Sequence, residues 1–431
     1  MELRDGFKHT EIGIYPEGWS VLPLRSVLKE NPKYGINAAA VKLKGNLPTY
    51  IRITDISDEG YFLSTEKVGV DSPFSANYQL ADGDLVFART GASVGKSYLY
   101  DIKDGELIYA GFLIKISPDQ RLLLSDYLFQ FVKTKTYWNW VKVMSMRSGQ
   151  PGINGNEYGQ LPIPIPATKA EQTAIANALS DTDAWIQSLT RLIAKKRQIK
   201  QGAMQTLLTG RERLPEFMNS KKYKQTKLGL IPDDWEIAVI GEKIDLLTGY
   251  PFPSNGYASS GIRLLRGSNI KRGTTDWDEE ITEYWDKFSA DIKKYVLNVG
   301  DIVVAMDGSL VGRSFARITA NDLPALLLQR VARIRTDKIA MGYLKEWVCS
   351  KFFTEHCDSV KTVTAIPHIS PKDIREFVIP LPPTKTEQAA IADILSNMDN
   401  EIVTLETKLT KAQQIKQGMM QNLLTGRIRL I

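Results

Sequence analysis

The chain has 431 residues, 43% of them hydrophobic and 24% charged, so it is too long for one ordinary core and too apolar to be mostly disordered. Its 55 Lys+Arg against 49 Asp+Glu leave a formal charge of +6, and so mild a balance singles out no polyanionic partner. Two cysteines, Cys349 and Cys357, exclude a disulfide framework; the charged stretch Met1–Thr10 lacks the apolar run of a signal peptide, and no segment approaches the ~20 apolar residues of a membrane helix. A soluble, cytoplasmic, multidomain protein with no membrane association is expected.

In chain order, a leading segment, Ile12-Gly13-Ile14-Tyr15-Pro16-Glu17-Gly18-Trp19, opens a region of about residues 20–166 in which short β-rich runs such as Asp84-Leu85-Val86-Phe87-Ala88 alternate with turns and helical stretches. Asn31-Pro32-Lys33-Tyr34 resembles the Asn-Pro-Pro-Tyr loop of adenine methyltransferases, but the second proline is missing and no glycine-rich cofactor loop follows, which argues against methyl transfer. Thr90-Gly91-Ala92-Ser93-Val94-Gly95-Lys96-Ser97 invites a phosphate-loop reading, yet its glycines enclose three residues instead of four. A structural glycine turn and a DNA-phosphate loop both remain open there, with Arg89 and Lys96 as the cations at hand.

Pro162, Pro164 and Pro166 then mark a joint, and Thr168 with Glu171 forms a T-x-x-E capping box, in which two side chains satisfy orphan amides reciprocally at a helix start. From Arg191 to Lys227 eleven basic residues (Arg191, Lys195, Lys196, Arg197, Lys200, Arg211, Arg213, Lys221, Lys222, Lys224, Lys227) stand against only Glu212 and Glu216. This run is either a phosphate-contacting surface or a solvated helix face and linker.

The second half repeats the first. Thr168–Leu214 matches Thr384–Leu430 without a gap at an offset of 216, with 27 of 47 positions identical. The same offset pairs the leading segment with Leu228-Gly229-Leu230-Ile231-Pro232-Asp233-Asp234-Trp235, and Leu80–Ser97 matches Leu297–Ser314, where Arg313 replaces Lys96. Within the second long helix Ile391, Leu395, Met398, Ile402, Leu405, Leu409 and Ala412 alternate by four and three residues; the twin has Ile175, Leu179, Thr182, Ile186, Leu189, Ile193 and Lys196. Such a stripe is a coiled-coil seam, and an antiparallel pairing of the two helices is expected.

The regions between the helices diverge except in these frames, which suits a device reading two different things. Arg52, Thr54 and Asp55 match Arg266, Ser268 and Asn269, with Lys42, Lys44, Lys271 and Arg272 close by in sequence. Arg and Asn can pair with base edges and Lys positions phosphates; each is singly an ordinary surface residue, and recurrence in both halves is what selects them. His9, His356 and His368 are scattered and the cysteines show no paired-ligand motif, so neither a metal site nor a catalytic site is expected.

A leading Pro-x-x-Trp segment, a variable domain, a T-K-x-E-Q helix ending in L-L-T-G-R, and then the same again resemble the specificity subunit of Type I restriction-modification systems. The marks are Pro380-Leu381-Pro382 with Glu387-Gln388-Ala390-Ile391-Ala392, and the endings Leu207-Leu208-Thr209-Gly210 and Leu423-Leu424-Thr425-Gly426. The resemblance implies an α+β fold: two tandem α/β target-recognition domains, residues 1–166 and 215–383, separated by two long antiparallel coiled-coil helices, residues 167–214 and 384–431, in an internal pseudo-twofold repeat. It further implies that each domain reads half of a split target in double-stranded DNA, and that the helices set the spacing and dock two methyltransferase subunits, which restriction subunits join. S-adenosylmethionine, ATP and magnesium then belong to the partners, and this chain has no cofactor of its own. Arg147-Ser148-Gly149-Gln150-Pro151 and Thr364-Ala365-Ile366-Pro367-His368 look like DNA-facing loops of that family, giving Arg147, Gln150 and His368 as further candidates. Thr168 to Gln201 as a helix spans roughly 50 Å, or about 15 base pairs. Competing readings are a non-catalytic twin-domain protein-binding scaffold and an enzyme with a site hidden in a domain cleft.

Overall fold

One buried strand explains how each domain is layered. In the computed structural model, which describes residues 5–146, 149–218 and 222–430, all four side chains of Leu85–Ala88 are buried. Leu85 and Phe87 enter one apolar cluster, with the helices, and Val86 and Ala88 enter a second. A strand covered on both faces needs an unbroken apolar run, not an alternating one. Its counterpart Ile302–Ala305 divides in the same way, Ile302 and Val304 to one cluster and Val303 and Ala305 to another.

The chain forms two compact units, residues 1–190 with 407–431, and residues 191–406. In the first, Leu85–Ala88 lies in an antiparallel sheet ordered Lys33–Tyr34, Leu113–Ile116, Leu85–Ala88, Ser97–Leu99, and a second sheet is ordered Leu107–Tyr109, Thr49–Ile51, Val68–Val70, Ala40–Lys42. In the second unit, Ile302–Ala305 is the middle strand of a five-stranded sheet, ordered Asp245–Thr248, Val331–Arg335, Ile302–Ala305, Phe315–Arg317, Arg272–Gly273. A three-stranded sheet there is ordered Glu283–Trp285, Ile262–Leu265, Ala325–Leu327. Helices Ser125–Phe131 and Lys135–Met144 in the first unit answer to Met341–Val348 and Lys351–Val360 in the second.

Two helices of 39 residues each, Lys169–Leu207 (the central helix) and Lys385–Leu423 (the terminal helix), both contribute to both units. In the first unit the opening half of the central helix runs antiparallel to the closing half of the terminal helix, with Asp183 and Lys416 paired at 2.5 Å and Thr182 Oγ1 3.5 Å from Met419 Sδ. The second unit holds the converse halves, with Lys200 to Asp399 at 2.6 Å and Lys196 to Glu401 at 2.7 Å. Asp399 and Lys200 are the 216-offset twins of Asp183 and Lys416, so one ion pair is built twice.

The seam residues divide between two jobs. Leu189, Ile193 and Ile402 are buried along the helices, and Ile186, Met398, Leu405 and Leu409 are half-buried. Leu179, however, lies in the first unit's core with Leu423 and Leu424, and Leu395 in the second unit's core with Leu207 and Leu208. Each helix start is therefore domain core, joined by the far end of the other helix.

The T-x-x-E-Q signature is corrected in one respect. Thr168 and Thr384 accept from the Glu171 and Glu387 amides at 3.2 Å as a cap requires, but the glutamates do not reach back. Both are fully buried, and a carboxylate without water is tolerable only beside a cation. Glu171 takes Arg429, and Glu387 takes Arg213, each through two hydrogen bonds. The neighbouring glutamines cap other helices: Gln172 Oε1 accepts from Leu124 N at 2.9 Å and Gln388 Oε1 from Ala340 N at 2.8 Å.

The L-L-T-G endings also have a defined seat. Gly426 turns at φ +66° against Pro16, where an added Cβ would stand 2.4 Å from Cγ, and Gly210 turns at φ +69° against Pro232, at 2.5 Å from Cδ. Trp19 and Trp235, both buried, complete the two seats.

Candidate nucleic-acid interface

The buried strand of each unit emerges at one exposed edge. In the first unit it ends at Arg89, whose amide donates to Phe112 O at 3.0 Å and whose carbonyl accepts from Ile153 N at 2.9 Å. Gly91 N donates to Pro151 O at 2.9 Å, so the returning loop is laced to the strand end, with Thr90 opposite Gly152. Gly91, at φ +73°, lies against the side chain of Gln150, whose Nε2 would be 3.2 Å from an added Cβ. The Arg89 guanidinium carbon lies 4.9 Å from the centre of the Tyr34 ring, within cation–π range. Ala110 N donates to Ile51 O at 3.0 Å, which sets Arg52 beside the same edge.

The second unit repeats this backbone with other side chains. Met306 N donates to Arg330 O at 2.9 Å, Ile369 N to Met306 O at 2.8 Å and Gly308 N to Pro367 O at 3.0 Å, with Asp307 opposite His368. Leu328 N donates to Leu265 O at 3.1 Å, which brings Arg266 to this edge as Arg52 is brought to the first. The glycines that let strands cross here are matched too: an added Cβ would fall 2.2 Å from Ala110 O at Gly35 and 2.1 Å from Leu328 O at Gly249.

Sequence candidates thus gather in part. Arg52, Arg89 and Gln150 meet at the first edge, and Arg266 and His368 at the second; Arg147 lies outside the described residues. Asp55 and Asn269 are buried and act locally. Asp55 takes the Arg52 guanidinium at 2.7 and 2.8 Å, which holds that cation above the usual arginine range, while Asn269 accepts from Arg266 N and donates to Asp276 O. Thr54 and Ser268 are exposed on the same short turns. Lys42 and Lys44 are exposed at the far edge of their sheet, and Lys271 and Arg272 at the edge of the five-stranded one.

The glycine-rich turn behaves as a packing device. Gly95, at φ +90°, would place a Cβ 2.7 Å from Val141, and its carbonyl accepts from Tyr137 Oη at 2.7 Å. Gly312, at φ +77°, meets Cys357 at 2.5 Å in the same way, and Thr354 Oγ1 donates to its carbonyl at 3.0 Å. Lys96 pairs with Asp58 at 2.6 Å. Arg313 forks onto Asp358, and together with Lys361 holds that carboxyl down at about 2. The basic run is likewise partly neutralised, since Lys196, Arg197, Lys200 and Arg213 all face acids of the second unit. Lys221 lies outside the described residues.

Sequence reasoning missed Tyr34, Phe112 and Arg330 at these edges. No single offset announced them: Gly35 and Gly249 are 214 residues apart, whereas Phe112 and Arg330 are 218 apart, and only the strand pairing sets one in the place of the other. Among the described residues no helix is long and apolar enough to cross a membrane, and no cluster of three or more His, Cys, Asp or Glu is placed to hold a metal.

Comparison with known proteins matches this duplicated architecture. The model of the Type I restriction modification DNA specificity domain matches twice, over residues 16–201 and 232–417. The chain is 27% identical over 427 residues to the Type I restriction enzyme MjaVIII specificity subunit of Methanocaldococcus jannaschii, covering 96% of this chain and 94% of the relative. It is 25% identical over 436 residues to the EcoKI specificity subunit of Escherichia coli, covering 97% and 90%. The crystal structure of a Type I restriction-modification S subunit from M. genitalium shares the fold, with a TM-score of 0.61 at 14% identity over 98% of both chains. Matched over most of its length, with the domain present in both halves, the chain belongs to the Type I restriction-modification specificity subunits.

Proposed function

We propose that the chain is the non-catalytic DNA-reading subunit of a Type I restriction-modification complex, each domain reading one half of a bipartite double-stranded target. The observation that carries this is the edge built twice on one hydrogen-bond pattern with different side chains: Arg89, Thr90 and Gly152 in one unit, Met306, Asp307 and His368 in the other. A common backbone frame with unlike side chains reads unlike sequences by like geometry. In this reading Arg52, Arg89 and Gln150, and Arg266 and His368, face base edges, with Arg147 in the first loop. Exposed Lys42, Lys44, Lys271 and Arg272 position phosphates, and Lys96 and Arg313 contribute to the field from their ion pairs.

The helices set the gap between half-sites and dock two methyltransferase subunits, to which restriction subunits add. Trp185, Leu192 and Ile199 support the docking role: large exposed apolar side chains at seven-residue spacing on the central helix. Their twins on the terminal helix are Glu401, Lys408 and Ile415. The cytoplasm, where such complexes meet DNA, is the proposed location.

The test is selection from a pool of random duplexes by the full chain with its methyltransferase subunits, followed by sequencing of the bound fraction. A split motif with a fixed gap is expected. Absence of enrichment would favour a protein-binding scaffold instead, and methyl transfer by the chain alone would overturn the non-catalytic assignment.

A further inference from the structure

The strand exit and the loop at each edge are joined by a third element, a two-residue turn that no motif announces. In the first unit Leu113 N donates to Ala110 O at 2.8 Å, closing a turn that carries Gly111 and Phe112. In the second Val331 N donates to Leu328 O at 3.3 Å, closing a turn that carries Gln329 and Arg330. The carbonyls of Phe112 and Arg330 receive the amides of Arg89 and Met306, so both occupy one place in the frame.

What stands at that place is unusual in both units. Phe112 is 58% exposed, and Arg89, whose amide its carbonyl receives, lies 4.9 Å from the ring centre of Tyr34, itself 43% exposed. Arg330 has φ +67°, the left-handed region, and no other non-glycine residue among those described has it. A side chain kept where glycine would be unstrained points to a use for that side chain. Its guanidinium projects at 65% exposure, held by a 3.2 Å pair with Asp307, which itself faces His368.

We infer that Phe112 and Arg330 are base-reading residues, Phe112 against a thymine methyl in one half-target and Arg330 against the O6 and N7 of a guanine in the other. An apolar ring on an exposed edge suits the methyl, the apolar feature of the major groove. A guanidinium fork suits guanine, with Asp307 setting its plane before DNA arrives. The inference rests on the DNA-reading function proposed above, and it names the chemistry of one position per half-site.

The test repeats the random-duplex selection on the full chain with its methyltransferase subunits, using Phe112→Ala and Arg330→Gly. Phe112→Ala is expected to lose preference for one thymine by about tenfold, leaving the other half-motif intact. Arg330→Gly is expected to lose one guanine to a similar degree in the opposite half. Because glycine suits the left-handed turn, Arg330→Gly should melt at or above the parent temperature, which separates lost reading from lost fold. A parental split motif returned unchanged by both variants would overturn the inference while the proposed function stands. A parent with no split motif would overturn both.

Discussion

Arg213 holds Glu387 through hydrogen bonds of 2.7 and 2.9 Å although 174 residues separate them in the chain. Both are almost fully buried, and the same guanidinium takes Asp234 through two further bonds of 2.8 Å. In the first unit Gly18 stands where Asp234 would be, and Arg429, the partner of Glu171, is 42% exposed. Removing one member of a buried pair strands the other, whereas an exposed arginine returns to water. Glu387→Gln should therefore lower the stability of the second unit by about 3 kcal/mol, and Glu171→Gln that of the first by about 1 kcal/mol. Chemical denaturation of the full chain, followed by hydrogen exchange in each unit, checks the order.

Two glycines, Gly202 inside the central helix and Gly210 just past its end, separate the two roles of that residue. Gly210 combines φ +69° with a Cβ position 2.5 Å from Pro232, so Gly210→Ala should destabilise by about 2 kcal/mol or more. Gly202, in the helix interior with nothing within 4 Å of its Cβ position, should gain up to about 1 kcal/mol as alanine. Melting temperatures moving in opposite directions are the expected result.

Lys133 supplies a pH dependence. Its ammonium lies 3.9 Å from the Phe129 ring centre, and burial pushes it down to about 8, a shift that Asp183 at 3.3 Å only partly offsets. The unfolded lysine keeps its proton to about 10.4, so between these values the unfolded state binds more protons and stability rises with pH. Lys133→Met should be the more stable protein at pH 7 by about 2 kcal/mol, and the margin should close between about pH 8 and 10. Asp183 retains Lys416 in the variant. Paired melting curves at pH 7, 8.5 and 10 measure it.

If the helices act as a ruler, inserting four residues into one of them should change the gap between half-sites and leave their sequences alone. Mapping of methylated adenines reads both. Trp185→Glu, on the exposed stripe, should weaken assembly with methyltransferase subunits about tenfold without a change in melting temperature, as sedimentation would show.

The duplicated frame was legible because it consists of contacts that fix residue type. Thr168, Glu171, Gln172, Gly210 and their twins each meet the same kind of partner in both units, and a partner kept twice leaves the same letters twice. Their partners were not legible. A capping box is a local pattern, and only tertiary packing reveals that Glu171 and Glu387 are sealed from water beside arginines. The four-three spacing of Leu179 and Leu395 likewise announces a buried face without saying what buries it. Lys42 and Arg52 are close in sequence, yet their strands lie on either side of Val68–Val70 in the sheet. Tyr34, Arg89 and Phe112 meet only through strand pairing, so no window of sequence contains their edge.

Gly426 and Leu424 seat on Pro16 and the first unit's core, so residues 407–431 finish the unit that residues 1–190 begin. Removing residues 407–431 would therefore injure the first recognition domain and spare the second. A ribosome must also pass residue 426 before that first domain can close.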